Sequence, residues 1–240
     1  MALESSKNSV VEQLCKAGTL PRMIRVRQIF NQTHLEPDEI PAVIAAQLAR
    51  DAVRKNIKPG MSIAITCGSR GITNIATIIK AIVDYVKAQG GKPFIFPAMG
   101  SHGGATVQGQ LNILESYHVM EETMGCPIRA TMEAVYLGDT VEGSPVYQDC
   151  YAHEADGVIL CGRIKAHTSF QGAYESGLLK MSVIVVWASS TVQRVSTNPD
   201  SRIWAEFCHS LPRWFSTTPI LWQVSAFWKM LMSRPAGSLH

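Results

Sequence analysis

Tryptophan is missing from the first 186 residues of this 240-residue chain, and glycine is nearly missing from the last 59. All five tryptophans follow Met181, whereas 17 of the 18 glycines precede Ser182. The six cysteines, Cys15, Cys67, Cys126, Cys150, Cys161 and Cys208, are widely spaced and form no CxxC pair. That excludes a zinc knuckle or a small disulfide scaffold and favours reduced thiols. No run of 18 uninterrupted apolar residues occurs, and residues 1–8 carry charge without an apolar leader segment. A membrane-spanning helix is therefore not expected, and the cytoplasm is the expected location.

Excess charge of one sign is also lacking through Met181, where 17 basic residues meet 17 acidic ones. The formal net charge of +3 arises in the last 59 residues, with five basic and two acidic side chains. The body has no basic stripe with interleaved aromatics, which argues against nucleic-acid binding. The glycine loops match neither GxGxxG nor GxxxxGK[ST] in the required setting, and no serine sits in a nucleophile elbow. Nothing local marks a dehydrogenase, kinase or hydrolase.

What is present suits a globular domain. Apolar residues make up 46% of the chain, and a chain of this length buries roughly 70 to 75% of its extended surface on folding. Residues 24–30 read as an entering strand, and residues 38–55 as a helix with Ile40, Val43, Ile44, Leu48 and Val53 largely on one face. A short buried strand is predicted over 62–66, then a glycine loop over 67–71. Thr73 or Asn74 can cap the helix that follows, which runs to about Gln89 and stops at Gly90 and Gly91. Another strand is predicted over 92–97, with an exit loop over 99–106. A helix over 107–115, a turn near Glu121, short extended pieces at 128–132, 134–137 and 146–147, and a buried strand over 156–161 complete the pattern. Strand, helix, strand at this spacing is a βαβ unit, so the expected fold is α/β: an open, mostly parallel sheet with flanking helices, Rossmann-like. Loops after residues 66, 97 and 161 then lie at strand carboxyl ends, where ligand chemistry collects in such sheets.

Four side chains in these loops could carry chemistry. His102 lies among Gly100, Gly103 and Gly104, where little packing is asked of it; its imidazole could exchange a proton with an alcohol or an acid, or stabilise the turn. His167 could form an acid/base pair with His102, or serve as a substrate hydrogen-bond donor. Arg70, beside Ser69, could receive a carboxylate in bidentate geometry or lie solvated at the surface; Lys165 is equally ambiguous. Lys180, within the apolar stretch 178–181, must reach solvent, pair with an anion or be chemically modified.

Together, the Ser69–Arg70 loop, the run 99–106 around His102, and residues 162–167 followed by 175–181 resemble the N-terminal domain of the nickel-dependent lactate racemase family. The resemblance covers roughly residues 20–181. It implies a two-domain α/β protein with its site in the cleft between domains, interconverting the configurations of a 2-hydroxy acid. In that family hydride passes reversibly to a nickel pincer nucleotide while a histidine removes the hydroxyl proton. On this resemblance His102 and His167 are the paired catalytic acid/base residues. Arg70, with Ser69, contacts an anionic substrate or cofactor group, and Lys180 attaches the cofactor. The implied partners are a small 2-hydroxy or 2-keto carboxylate and cofactor-maturation proteins.

The chain also departs from the family. Position 67, where the family has an acidic residue three before the arginine, is a cysteine, and 13 positions separate Lys180 from His167, more than in the racemase itself. Ser196 stands near the position expected of the nickel-binding histidine, and its oxygen is a poor replacement for an imidazole there. After Lys180 the family continues with a segment like Gly-Leu-Gly-Lys-Gln-x-Gly-Ala. Here residues 187–193 can be encoded TGG GCA AGC AGT ACG GTG CAG; with GTC for Val186, reading from its last base yields Leu-Gly-Lys-Gln-Tyr-Gly-Ala. The expected organisation is thus an extension over 1–20, a lactate racemase-like domain over 21–181, and a tail over 182–240 that is out of frame, leaving the second domain missing and catalysis impaired. The rival readings are a genuine partner-binding tail and a non-catalytic domain that binds small carboxylates.

Overall fold

The computed structural model describes residues 16, 23–27, 35–68, 71–139, 145–163 and 221–222. Two units divide the chain, Met1–Phe30 and Asn31–His240. Within the first, Lys16 is helical and residues 23–27 have no regular secondary structure, with Met23, Ile24 and Val26 exposed. The strand expected over 24–30 is therefore not formed over its described part. No sheet neighbour takes up its backbone groups there.

In the second unit, five consecutive residues from Ile63 to Cys67 are buried in strand β1 (Ser62–Cys67), the signature of a strand covered on both faces. Strand β2 (Lys92–Pro97) repeats it, with residues 93–96 buried. The two strands run parallel in the register Ser62↔Lys92 to Cys67↔Pro97. On the other side of β1 lies β5 (Gly157–Ile159), also parallel, with Ile63 opposite Gly157 and Ile65 opposite Ile159. The two-residue strand β6 (Leu221–Trp222) extends the parallel sheet beyond β5, so the order is β2-β1-β5-β6. The observed fold is thus an open, parallel α/β sheet with flanking helices.

Alternate residues of a strand face opposite ways, and the core divides accordingly. Ile63, Ile65, Cys67 and Ile95 join one buried cluster with Ile78, Ile79 and Val83, which lie on helix α3 (Ile75–Ala88). The same cluster takes Ile40, Ile44 and Leu48 from helix α1 (Ile40–Leu48). Ala64, Phe94, Phe96, Val158 and Leu160 join the opposite cluster with Ala152, which belongs to helix α6 (Cys150–Glu154).

Several expectations need correcting. The helix expected over 38–55 is two helices, α1 and α2 (Asp51–Arg54), separated by an extended Arg50 at ψ 140°. The stripe Ile40, Ile44, Leu48 would continue at Ala52, which is exposed, while Val53 packs partly buried against the same cluster from the second helix. Asn74 occupies the N-cap of α3 but does not cap it with its side chain; its φ of 59° is left-handed, a region asparagine tolerates better than most residues. Residues 128–132 contribute only a bridge from Ile128 to Ile95. Strands β3 (Ala134–Asp139) and β4 (Pro145–Asp149) pair antiparallel as a separate ribbon. Among the described residues, no helix is long and apolar enough to cross a membrane.

Candidate functional site at the carboxyl edge of the sheet

Because β1, β2 and β5 are parallel neighbours, their exit segments leave the same edge of the sheet. Backbone and side-chain bonds hold these exits together. Ala98 N–H donates to the Cys67 carbonyl at 2.9 Å, tying the ends of β1 and β2. Thr66 joins β1 to the end of β5: its Oγ1 accepts from Cys161 N–H at 2.7 Å and donates to the Cys161 carbonyl at 3.2 Å. The hydroxyl is fully buried, and it replaces ladder pairing just beyond Ile159.

The loop after β2 carries His102, the first residue of a 3₁₀ turn over His102–Ala105. Gly103, at φ 69°, and Gly109 make this turn possible. A β-carbon on Gly109 would fall 1.8 Å from the Gly103 carbonyl oxygen, and one on Gly103 would fall 2.5 Å from the Gly109 backbone. The loop therefore lies directly on the first turn of helix α4 (Val107–Ser116). Thr106 caps that helix, its Oγ1 accepting from Gly109 N–H at 3.1 Å while donating to the Gly103 carbonyl at 3.0 Å. Buried Gln110 donates Nε2 to the Gly100 carbonyl at 3.0 Å. His102 itself is half-buried, and its backbone N–H donates to the Met99 carbonyl at 3.3 Å. The motif was legible in the sequence as glycines around a histidine. Its anchors, Gln110 and Thr106, were not.

Ser69, Arg70, His167, Lys180 and Ser196, like Lys165, lie outside the described residues. Gly68 and Gly71 bracket the Ser69–Arg70 pair, and Cys161 to Arg163 lead toward His167. The structure adds Arg163 to this edge, a residue the sequence reading passed over. Its Nη1 lies 2.7 Å from the point a β-carbon on Gly71 would occupy, so the segment after β5 reaches across to the loop after β1. A basic residue two places beyond the strand predicted over 156–161 was the available, weak signal.

Cys67 and Cys161 stand at this edge with neutral thiols. Burial, reinforced by the neighbouring Cys161, pushes the Cys67 thiol strongly upward; burial alone pushes Cys161 up to about 12. Neither supplies a thiolate near neutral pH. Among the described residues, no group of three or more His, Cys, Asp or Glu side chains could hold a metal ion. The described part of the edge therefore does not form a donor set for nickel, and what it offers is an imidazole, a guanidinium and fixed backbone groups.

A family model described as the lactate racemase N-terminal domain matches residues 11–193. No curated protein matches the chain. Among solved structures, it is similar to the lactate racemase apoprotein from Thermoanaerobacterium thermosaccharolyticum, with a TM-score of 0.52 and 15% sequence identity. That similarity covers 75% of this chain and 47% of the other, so the chain spans about half the length of that relative. At this identity the likeness is one of fold.

Proposed function

Because the chain belongs to the lactate racemase N-terminal domain family, we propose that its sheet edge binds a small 2-hydroxy or 2-keto carboxylate and contributes to racemase or epimerase chemistry. The observation that supports this most is the placement of His102 in a rigidly anchored glycine loop at the carboxyl end of β2.

In this reading His102 takes the hydroxyl proton of the bound acid, and the imidazole returns it when the opposite configuration forms. An imidazole can both accept and donate a proton, which suits exchange in both directions. The fixed turn keeps the imidazole within reach of one small ligand and lowers the orientational cost of that transfer. Arg70 and Ser69 orient the carboxylate, and His167 serves the other face. The nickel pincer nucleotide that the family resemblance implies would supply the hydride acceptor when bound, with Lys180 as its point of attachment.

The test is interconversion of an enantiomerically pure 2-hydroxy acid by full-length protein coexpressed with cofactor-maturation proteins, followed by chiral chromatography. His102→Asn is expected to slow interconversion by about 10²- to 10⁴-fold, the range for loss of a general acid/base. Equal rates in the variant and the unmodified protein would remove His102 from the chemistry. Saturable carboxylate binding without interconversion would instead support a non-catalytic binding domain.

A further inference from the structure

Among the described residues, the exit segments of β1, β2 and β5 carry no acidic side chain. Acidic residues are absent from residues 52–83, 85–114 and 157–174, which include the strands β1 and β2 and the exit loops of β1, β2 and β5. The nearest acid to β5 in the sequence, Asp156, belongs to the opposite edge, where its Oδ2 accepts from Ser62 N–H at 2.8 Å at the start of β1. The two ion pairs formed among the described residues, Arg54 with Asp51 and Lys80 with Asp84, lie on helices away from the loops.

Arg163 is half-buried beside these described exit segments. Its side chain lies across Gly71, with Nη1 2.7 Å and Cζ 3.9 Å from the point a β-carbon there would occupy. Glycine at position 71 adopts φ 67° and leaves room for the guanidinium, whose end a β-carbon there would displace. The backbone end from which Arg163 projects is fixed by the two Thr66 bonds to Cys161. A guanidinium in this position, partly withdrawn from water and with no described carboxylate paired to it, can receive an anion.

We propose that Arg163 is an anion-binding residue of this site, receiving a carboxylate of the ligand in bidentate geometry beside Gly71. This assignment deepens the carboxylate reading given above and rests on it for the identity of the ligand, but not for the presence of an anion site. It also makes Gly71 and Thr66 positioning residues for Arg163, the first by leaving space and the second by anchoring the strand end.

Isothermal titration of the full chain with glycolate, a 2-hydroxy acid, and acetate, which lacks the hydroxyl, tests the assignment. Arg163→Gln is expected to raise the glycolate Kd by about 10- to 100-fold, the range for losing hydrogen bonds to a charged group. Arg163→Lys keeps the charge without the planar fork and should fall between the two. Lys92→Gln removes one positive charge at the opposite edge of the sheet and should leave the Kd within twofold. A Kd for Arg163→Gln within twofold of the unmodified protein overturns the assignment. If Arg163→Gln fails to fold by circular dichroism, Arg163→Lys decides, with an unchanged Kd overturning the assignment and a weakened one supporting it. If glycolate and acetate bind equally and Arg163→Gln weakens both, the anion assignment holds while the 2-hydroxy-acid reading fails. Absence of binding by either probe to the unmodified protein overturns both.

Discussion

Gln110 and Gly100 are joined by a buried hydrogen bond of 3.0 Å that runs from a helix side chain back to the loop preceding it. The bond spans the stretch containing His102, so the helix α4 holds the loop from within. Replacing Gln110 with Leu leaves the Gly100 carbonyl without this donor and is expected to cost about 1–3 kcal/mol of stability. Urea denaturation measures that loss. Glycolate affinity should fall as well, because the loop around His102 loses an anchor, and unchanged affinity would show that the bond serves stability alone.

Thr66 stitches together segments 95 positions apart in the chain. Thr66→Val preserves shape but leaves both backbone groups of Cys161 unsatisfied in a buried setting, with an expected loss of about 2 kcal/mol or more. Thr66→Ser keeps the hydroxyl and should recover most of that loss. Chemical denaturation of the two variants side by side checks the expectation, which fails if valine and serine are equally stable.

Asp149 predicts a pH dependence. Its carboxyl accepts from Ala152 N–H at 3.1 Å, yet burial outweighs the backbone hydrogen bonds and raises its pKa from the ordinary 3.8 to about 6. A raised folded-state pKa means that the folded protein holds this proton more tightly than the unfolded chain. The contribution to stability is fully present below pH 3.8 and is lost as pH rises through about 6. The displacement corresponds to roughly 3 kcal/mol. Asp149→Asn keeps a capping oxygen without the titration, so its stability should be flatter than that of the unmodified protein between pH 4 and 7. Parallel slopes would assign the dependence to another group.

The legible parts of the fold were those with a strong local signal. Unbroken apolar runs marked β1 and β2, and the spacing of Ile75, Ile78, Ile79, Ile82, Val83 and Val86 marked α3, whose buried face carries all six. Gly90, at φ 79°, ends that helix region as expected. The break between α1 and α2 was hidden, because alanine and arginine at positions 49 and 50 are among the strongest helix formers and local propensity carries the helix straight through them. Within the site, glycines around a histidine announced the loop after β2. Gln110 and Arg163 gave no comparable signal: a glutamine on a helix and an arginine after a strand are ordinary surface residues until their neighbours are known.

The amino-acid order by itself determined the segments that bury both faces, the points where only glycine permits the backbone path, and the absence of acid along three long stretches of chain. These depend on residue type and near neighbours. Tertiary structure alone decided that β5 lies against β1, that Thr66 meets Cys161, and that Arg163 lies across Gly71. Contacts between residues some 90 positions apart carry no local periodicity; they arise because parallel strands must satisfy their backbone hydrogen bonds against a neighbour supplied from elsewhere in the chain.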